Sequence, residues 1–78
     1  MLPEILQIGS KIKAKRAERG WSTYDLAEKA FQRRERAADV TRWENGTLIP
    51  SLKNLVHLCR AFNCQLSDLL FVTSNSKE

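Results

Sequence analysis

The sequence predicts an all-α domain, and three observations carry that expectation. Apolar residues recur at helical spacing along most of the chain. Residues that start and stop helices bracket each periodic stretch. Only 2 Pro and 3 Gly occur in 78 residues, which leaves little material for the tight turns of a β-fold. A chain of this length makes one domain. It buries only about 60% of its extended surface, so a thin core and burial against a partner are expected. Residues 1–72 form the domain, and residues 73–78 are a polar tail.

Five helical segments follow in order. The first spans residues 3–19, where Pro3 suits a first turn because its missing N–H has no partner there. Ile5, Ile8 and Ile12 share one stripe, Lys11, Lys13, Lys15, Arg16 and Arg19 occupy the other faces, and Gly20 is the stop. Ser22 with Asp25 three residues later resembles a capping box in which Asp replaces the usual Glu. Leu26, Ala27 and Ala30 then give the second helix its inward face. A third segment covers residues 33–44, with Ala37, Val40 and Trp43 inward. Asn45 and Gly46 end it, since both tolerate a left-handed backbone. Residues 47–50 form a loop. Ser51 caps a fourth helix whose Leu52, Leu55, Val56, Cys59 and Phe62 make an amphipathic stripe, and Asn63 ends it. Ser67 starts a short fifth helix, with Leu66, Leu69, Leu70 and Phe71 apolar.

Lys and Arg number 13 against 9 Asp and Glu, a net charge of +4 with a pI near 9.4. That balance suits a nucleic-acid partner, because phosphate neutralisation supplies most non-specific affinity for DNA; it would also suit a merely basic surface. No apolar run approaches the roughly 18 residues of a membrane span. The opening Met-Leu-Pro-Glu lacks the basic and apolar regions of a signal peptide, so a cytoplasmic protein is expected. Cys59 and Cys64 stand five residues apart with His57, the only histidine, expected on the exposed side of the same helix. A metal site needs more ligands than these, so we expect two buried structural thiols, no metal and no cofactor. Without a Ser/His/Asp set or a second His, catalysis has no machinery, and no enzyme is expected.

Several pieces of the chain together resemble one family. Ile12-Lys-Ala-Lys-Arg16 followed by Arg19-Gly-Trp-Ser22 is similar to the first helix and turn of the Cro and phage-repressor (XRE-like) family of helix-turn-helix proteins. Leu26-Ala-Glu-Lys-Ala30 resembles its second helix, and Thr41-Arg-Trp-Glu-Asn-Gly46 the end of its recognition helix. Pro50-Ser-Leu52, Leu55, Leu58, Ala61-Phe62 and Leu66-Ser-Asp-Leu-Leu70 follow its fourth and fifth helices. The likeness spans residues 8–71. It implies a five-helix, lambda-repressor-like DNA-binding domain and a sequence-specific regulator of transcription (repressor, controller or antitoxin) acting on double-stranded DNA as a homodimer. A protein-interaction module on the same fold, using residues 31–39, is the alternative.

One departure stands out. Between Ala30 and Trp43 the stretch is longer than in the family, with no Gly and no Ser or Thr cap. Either the turn is enlarged or the recognition helix begins nearly one turn early. The longer helix is the expectation, because residues 32–44 are helix-tolerant until Val40.

A reading helix must put one stripe into the core and the opposite one into the major groove. Arg34, Ala38 and Arg42, at i, i+4 and i+8, make the outward stripe, with Arg33, Thr41 and Asn45 beside it. Arginine pairs bidentately with guanine, worth about 1 to 3 kcal/mol of discrimination. The plain reading is a solvated arginine face neutralised by Glu35 and Asp39; Asp39 also has cytosine, phosphate repulsion or Arg36 as possible engagements. By resemblance, Ser22 and Thr23 start the helix whose N–H groups hold a phosphate, Asn45 matches the clamp on the other side, and Lys15 is a further candidate. Trp21 and Trp43 occupy positions where the family packs a large apolar residue, so both are expected in the core. The family also carries an Arg and a Glu at the positions of Arg16 and Glu44, which implies a mostly buried ion pair. Leu66, Leu69, Leu70, Phe71 and Val72 crowd apolar side chains at the end of the domain and are the expected dimer interface.

Overall fold

Helix boundaries follow the capping residues. The computed structural model describes residues 3–70, with side chains from Gln7 onward. Its α-helices are α1 (Pro3–Glu18), α2 (Thr23–Phe31), α3 (Ala37–Asn45), α4 (Leu52–Phe62) and α5 (Ser67–Leu70), with no strand among the described residues. Gly20 takes a left-handed φ of 69°. Its N–H and that of Trp21 then donate back to the carbonyls of Ala17 (3.0 Å) and Arg16 (3.1 Å), which closes α1 in a Schellman motif. The same device ends α3, where Gly46 has φ 79° and Thr47 N–H donates to Arg42 O at 3.0 Å.

At the start of α2 the expected capping box is complete. Ser22 Oγ accepts from Asp25 N–H at 3.0 Å, and Asp25 Oδ2 accepts from Ser22 N–H at 2.9 Å. That backbone N–H, more than any other neighbour, holds the Asp25 carboxyl below its ordinary range. Because the folded value is depressed, the contribution of the box is present at neutral pH and is lost as pH falls through the carboxylate range. Ser22→Ala is expected to cost about 1 kcal/mol in urea unfolding.

Among the described residues, thirteen buried apolar side chains form one core, drawn from every α-helix. α1 supplies Ile8 and Ile12; α3 supplies Ala37, Val40 and Trp43, the inward stripe expected of it. Ile5 lies outside the described side chains. On α4 the stripe is rotated from expectation: Leu58 is fully buried, whereas Leu52 and Val56 are exposed. Ser51 sets the start of α4 one turn before it reaches the core, so its first apolar residue overhangs solvent. Trp21 is likewise half-buried rather than internal, stacked on Phe62 with ring centroids 6.0 Å apart. His57 is half-buried against the Phe31 ring, not exposed, and Cys64 is half-buried whereas Cys59 is buried.

α1 packs across α3 and α5, and α2 packs across α3 and α4. Two contacts fix the α1–α3 crossing. Gly9 is buried where α1 meets the end of α3, so close that a Cβ there would overlap the Trp43 carbonyl oxygen. About two helical turns further on, Arg16 Nε and Nη2 donate to Glu44 Oε2 (2.6 Å) and Oε1 (2.9 Å), while Nη1 donates to Trp21 O at 2.8 Å. The two side chains are 16% and 6% exposed, so the ion pair is mostly buried, as the resemblance implies.

Candidate nucleic-acid interface

α2 and α3 present the candidate site, and the link between them differs from expectation. α3 does not begin early. Phe31 ends α2, Gln32 takes a left-handed φ of 59° with its N–H donating to Glu28 O at 2.9 Å, and Arg33 is extended. Residues Arg34–Arg36 make one 3-10 turn, and α-geometry starts only at Ala37. The turn is enlarged instead. Gln32 thus fills the left-handed position that a glycine would take at lower cost.

Tertiary contacts explain why the helix-tolerant sequence yields here. The half-buried Phe31 ring lies 5.8 Å from Trp43 and 5.3 Å from His57. Arg36 lays its guanidinium over Phe31 at 4.4 Å and over Trp43 at 5.7 Å, and its Nε donates to Asp39 Oδ2 at 2.8 Å. Continuous helix from Gln32 would strip these contacts from the core. They outweigh local propensity, which amounts to only a few tenths of a kcal/mol per residue for Gln and Arg. Asp39 is therefore tied to Arg36, and it also accepts from Arg42 Nη1 at 3.3 Å. It sits in the first turn of α3, where an anion is favoured by the helix dipole and where no side chain caps the helix.

Arg33, Arg34, Ala38, Thr41, Arg42 and Asn45 are all exposed. Ala38, Thr41, Arg42 and Asn45 stand on α3, but Arg33 and Arg34 stand in the turn before it. The regular i, i+4, i+8 spacing through Arg34 does not hold, because a 3-10 turn separates it from Ala38. What holds Arg34 instead is α2: its guanidinium lies 5.3 Å over the Tyr24 ring, and its charge adds to the lowering of Asp25. Arg33 is within 3.8 Å of Glu35, both exposed, a pair worth little in water. Ser22 is exposed and Thr23 half-buried at the positive end of α2. Lys15 is apart from this group, bordering a shallow depression with Lys11, Ala14, Glu18 and Asp68 where α1 meets α5.

A helix pair with an arginine-rich exposed face fits many basic proteins. Over residues 11–73, however, the sequence matches the Cro/C1-type helix-turn-helix DNA-binding domain. The chain belongs to that family. Its all-helical fold is consistent with that family's DNA-binding domain. No curated protein and no solved structure matches the chain.

Some of the arrangement escaped the sequence reading. Arg19, read only as surface charge, donates to Phe62 O at 2.7 Å and stacks 5.2 Å over its ring, joining α1 to the end of α4. Leu48, Ile49, Leu52 and Val56 are exposed on α4 and the loop before it; the signal available was that α4 has more apolar residues than one stripe holds. Of the expected dimer residues, Leu69 is fully buried in the core, Leu66 and Leu70 are half-buried against it, and Phe71 and Val72 lie outside the described residues.

Proposed function

We propose that this protein is a sequence-specific regulator of transcription that binds double-stranded DNA as a homodimer. One observation carries the reading: within a DNA-binding fold, α3 exposes Ala38, Thr41, Arg42 and Asn45, and the turn before it exposes Arg33 and Arg34. Asp39, the acid on α3 nearest that face, already has its oxygens engaged by Arg36 and Arg42. The small Ala38 lets a helix approach base edges, and each bidentate arginine–guanine contact separates the right base from the wrong one. Thr41 and Asn45 border the same surface. Ser22 and Thr23 start the helix whose free N–H groups would grip a phosphate, and Lys15 adds charge farther out.

Binding to selected duplexes should fall steeply with salt, in proportion to the phosphates neutralised. Arg34→Ala and Arg42→Ala should relax preference at particular base pairs, each by about 1 to 3 kcal/mol, whereas Lys15→Ala should weaken all duplexes alike. Selection of bound sequences from random duplex DNA reads both effects; recovery of no preferred sequence at moderate salt would reject a specific regulator.

A homodimer follows from the paired half-sites such folds read, since two reading helices must be held about one DNA turn apart. With Leu69 internal, Leu66 and Leu70 remain for the expected surface at the end of the domain, and Leu48, Ile49, Leu52 and Val56 form the larger exposed apolar set. The same set supports the second reading, a protein-interaction module that also uses residues 31–39. Sedimentation at tens of micromolar tests the homodimer, which a monomer mass would reject; a duplex shift that falls steeply with salt supports the first reading, and tight protein association with no DNA shift supports the second.

A further inference from the structure

Cys59 and Cys64 occupy the two positions that a Schellman motif brings together. α4 ends with Asn63 in the left-handed conformation, φ 57°. Asn63 N–H donates to Arg60 O at 3.2 Å, and Cys64 N–H donates to Cys59 O at 3.0 Å. In this motif the side chains of the first and last residues so joined meet over the helix end, normally as an apolar contact. Here both are thiols. That hydrogen bond and the covalent bonds flanking it hold the two Cα atoms within about 7 Å, and disulfides bridge Cα atoms about 4.4 to 6.8 Å apart.

The two thiols differ in access, so a solvent-borne oxidant meets Cys64 first. Cys59 is 7% exposed; burial first, then the adjacent Cys64, pushes its pKa up to about 11, so it stays protonated. Cys64 is half-buried and reachable from solvent. Both are free. Among the described residues no third ligand joins them to make a metal site.

We propose that Cys59 and Cys64 form an oxidisable thiol pair, converted by a hydroperoxide into an intramolecular disulfide. The Cys64 thiolate attacks the outer oxygen of the peroxide. The O–O bond breaks, the remaining oxygen leaves as water or an alcohol, and Cys64 becomes a sulfenic acid. The Cys59 sulfur, losing its proton, then attacks the Cys64 sulfur; the S–O bond breaks, and the hydroxide leaves with that proton as water. Two thiols supply two electrons, and the peroxide takes both. The product staples the last turn of α4 to the link into α5, two residues before Leu66.

The full chain tests this directly. After hydrogen peroxide and alkylation, trypsin cuts at Arg60, between the two cysteines, and frees peptides 54–60 and 61–77. The expected result is that these peptides stay joined in a monomeric protein, with free thiols falling from two to none. Cys59→Ser should leave Cys64 trapped as a sulfenic acid by a cyclic dione, and Cys64→Ser should leave Cys59 unmodified. Two alkylated cysteines in the treated wild type, or peptide 61–77 joined only to a second copy of itself, would overturn the proposal. The wild-type digest decides alone should Cys59→Ser fail to fold.

Discussion

Glu44→Ala should lower stability by about 3 kcal/mol, the lower end of the range for breaking a buried ion pair. The choice of the lower end rests on geometry. Glu44 is 6% exposed but Arg16 is 16% exposed, so water can partly resolvate the arginine left behind. Three donors on Arg16 are committed, two to the carboxylate and one to Trp21 O. Removing the carboxylate strands two of them and loosens the third, which holds the turn into α2. For a domain of this size the loss corresponds to a fall of roughly 15 °C in Tm. Glu44→Gln keeps the shape and one acceptor, so it should fall between wild type and Glu44→Ala. Replacing both residues with apolar ones of similar volume should cost less than either single change, because no charge is stranded, though Trp21 O then loses its donor. Thermal unfolding of the four proteins checks the ranking. Equal Tm for wild type and Glu44→Ala would show that solvent, not Glu44, satisfies Arg16.

Where the sequence announces structure, it does so through local chemistry with one dominant solution. Ser22 followed by Asp25, Gly20, the Asn45-Gly46 pair and Ser51 each make the cap their side chains allow. The inward stripe Ala37, Val40, Trp43 was legible for the same reason: three apolar residues at one spacing leave little choice of face. The α2–α3 link was not legible. Its residues are all compatible with helix, and the outcome turns on where Phe31 and Arg36 pack against Trp43, a contact across the fold. Gln32 in a left-handed conformation carries no local signal, since glycine or asparagine is the usual occupant. That same link carries Arg33 and Arg34, so the turn, not a helical register, sets where both side chains stand. The α4 stripe misleads differently. Leu52, Leu55, Val56, Leu58, Cys59 and Phe62 cover more than one face, and periodicity cannot say which part meets the core.

Gly20 and Gly9 separate the two reasons a protein keeps glycine. At Gly20 the constraint is backbone conformation: φ is 69° and a Cβ would meet nothing within 4 Å. Gly20→Ala should therefore cost only the left-handed penalty, about 1 to 2 kcal/mol, and Gly20→Asn less. Gly9 is the opposite case, an ordinary helical residue with no room. In a free helix Gly→Ala stabilises by about 1 kcal/mol, so local propensity predicts a gain. Here the added methyl would overlap the Trp43 carbonyl oxygen and stand 2.9 Å from that of Glu44. Both obstacles are backbone, held by the closing turn of α3 and unable to rotate away as a side chain would. α1 must then withdraw from α3. That withdrawal opens the contact beside Trp43 and stretches the Arg16–Glu44 bridge between the same two helices. Overpacking of this kind costs about 1 to 3 kcal/mol and occasionally more; with backbone on the far side, we expect about 3 kcal/mol of destabilisation from Gly9→Ala. Ser10→Ala, at an exposed neighbouring position of α1, controls for helix propensity and should be neutral or slightly stabilising. Combined with Glu44→Ala, Gly9→Ala should cost less than the sum, because the two changes damage one helix crossing. Urea unfolding of the set measures each term, and a Gly9→Ala protein as stable as wild type would mean that α1 and α3 stand farther apart than described.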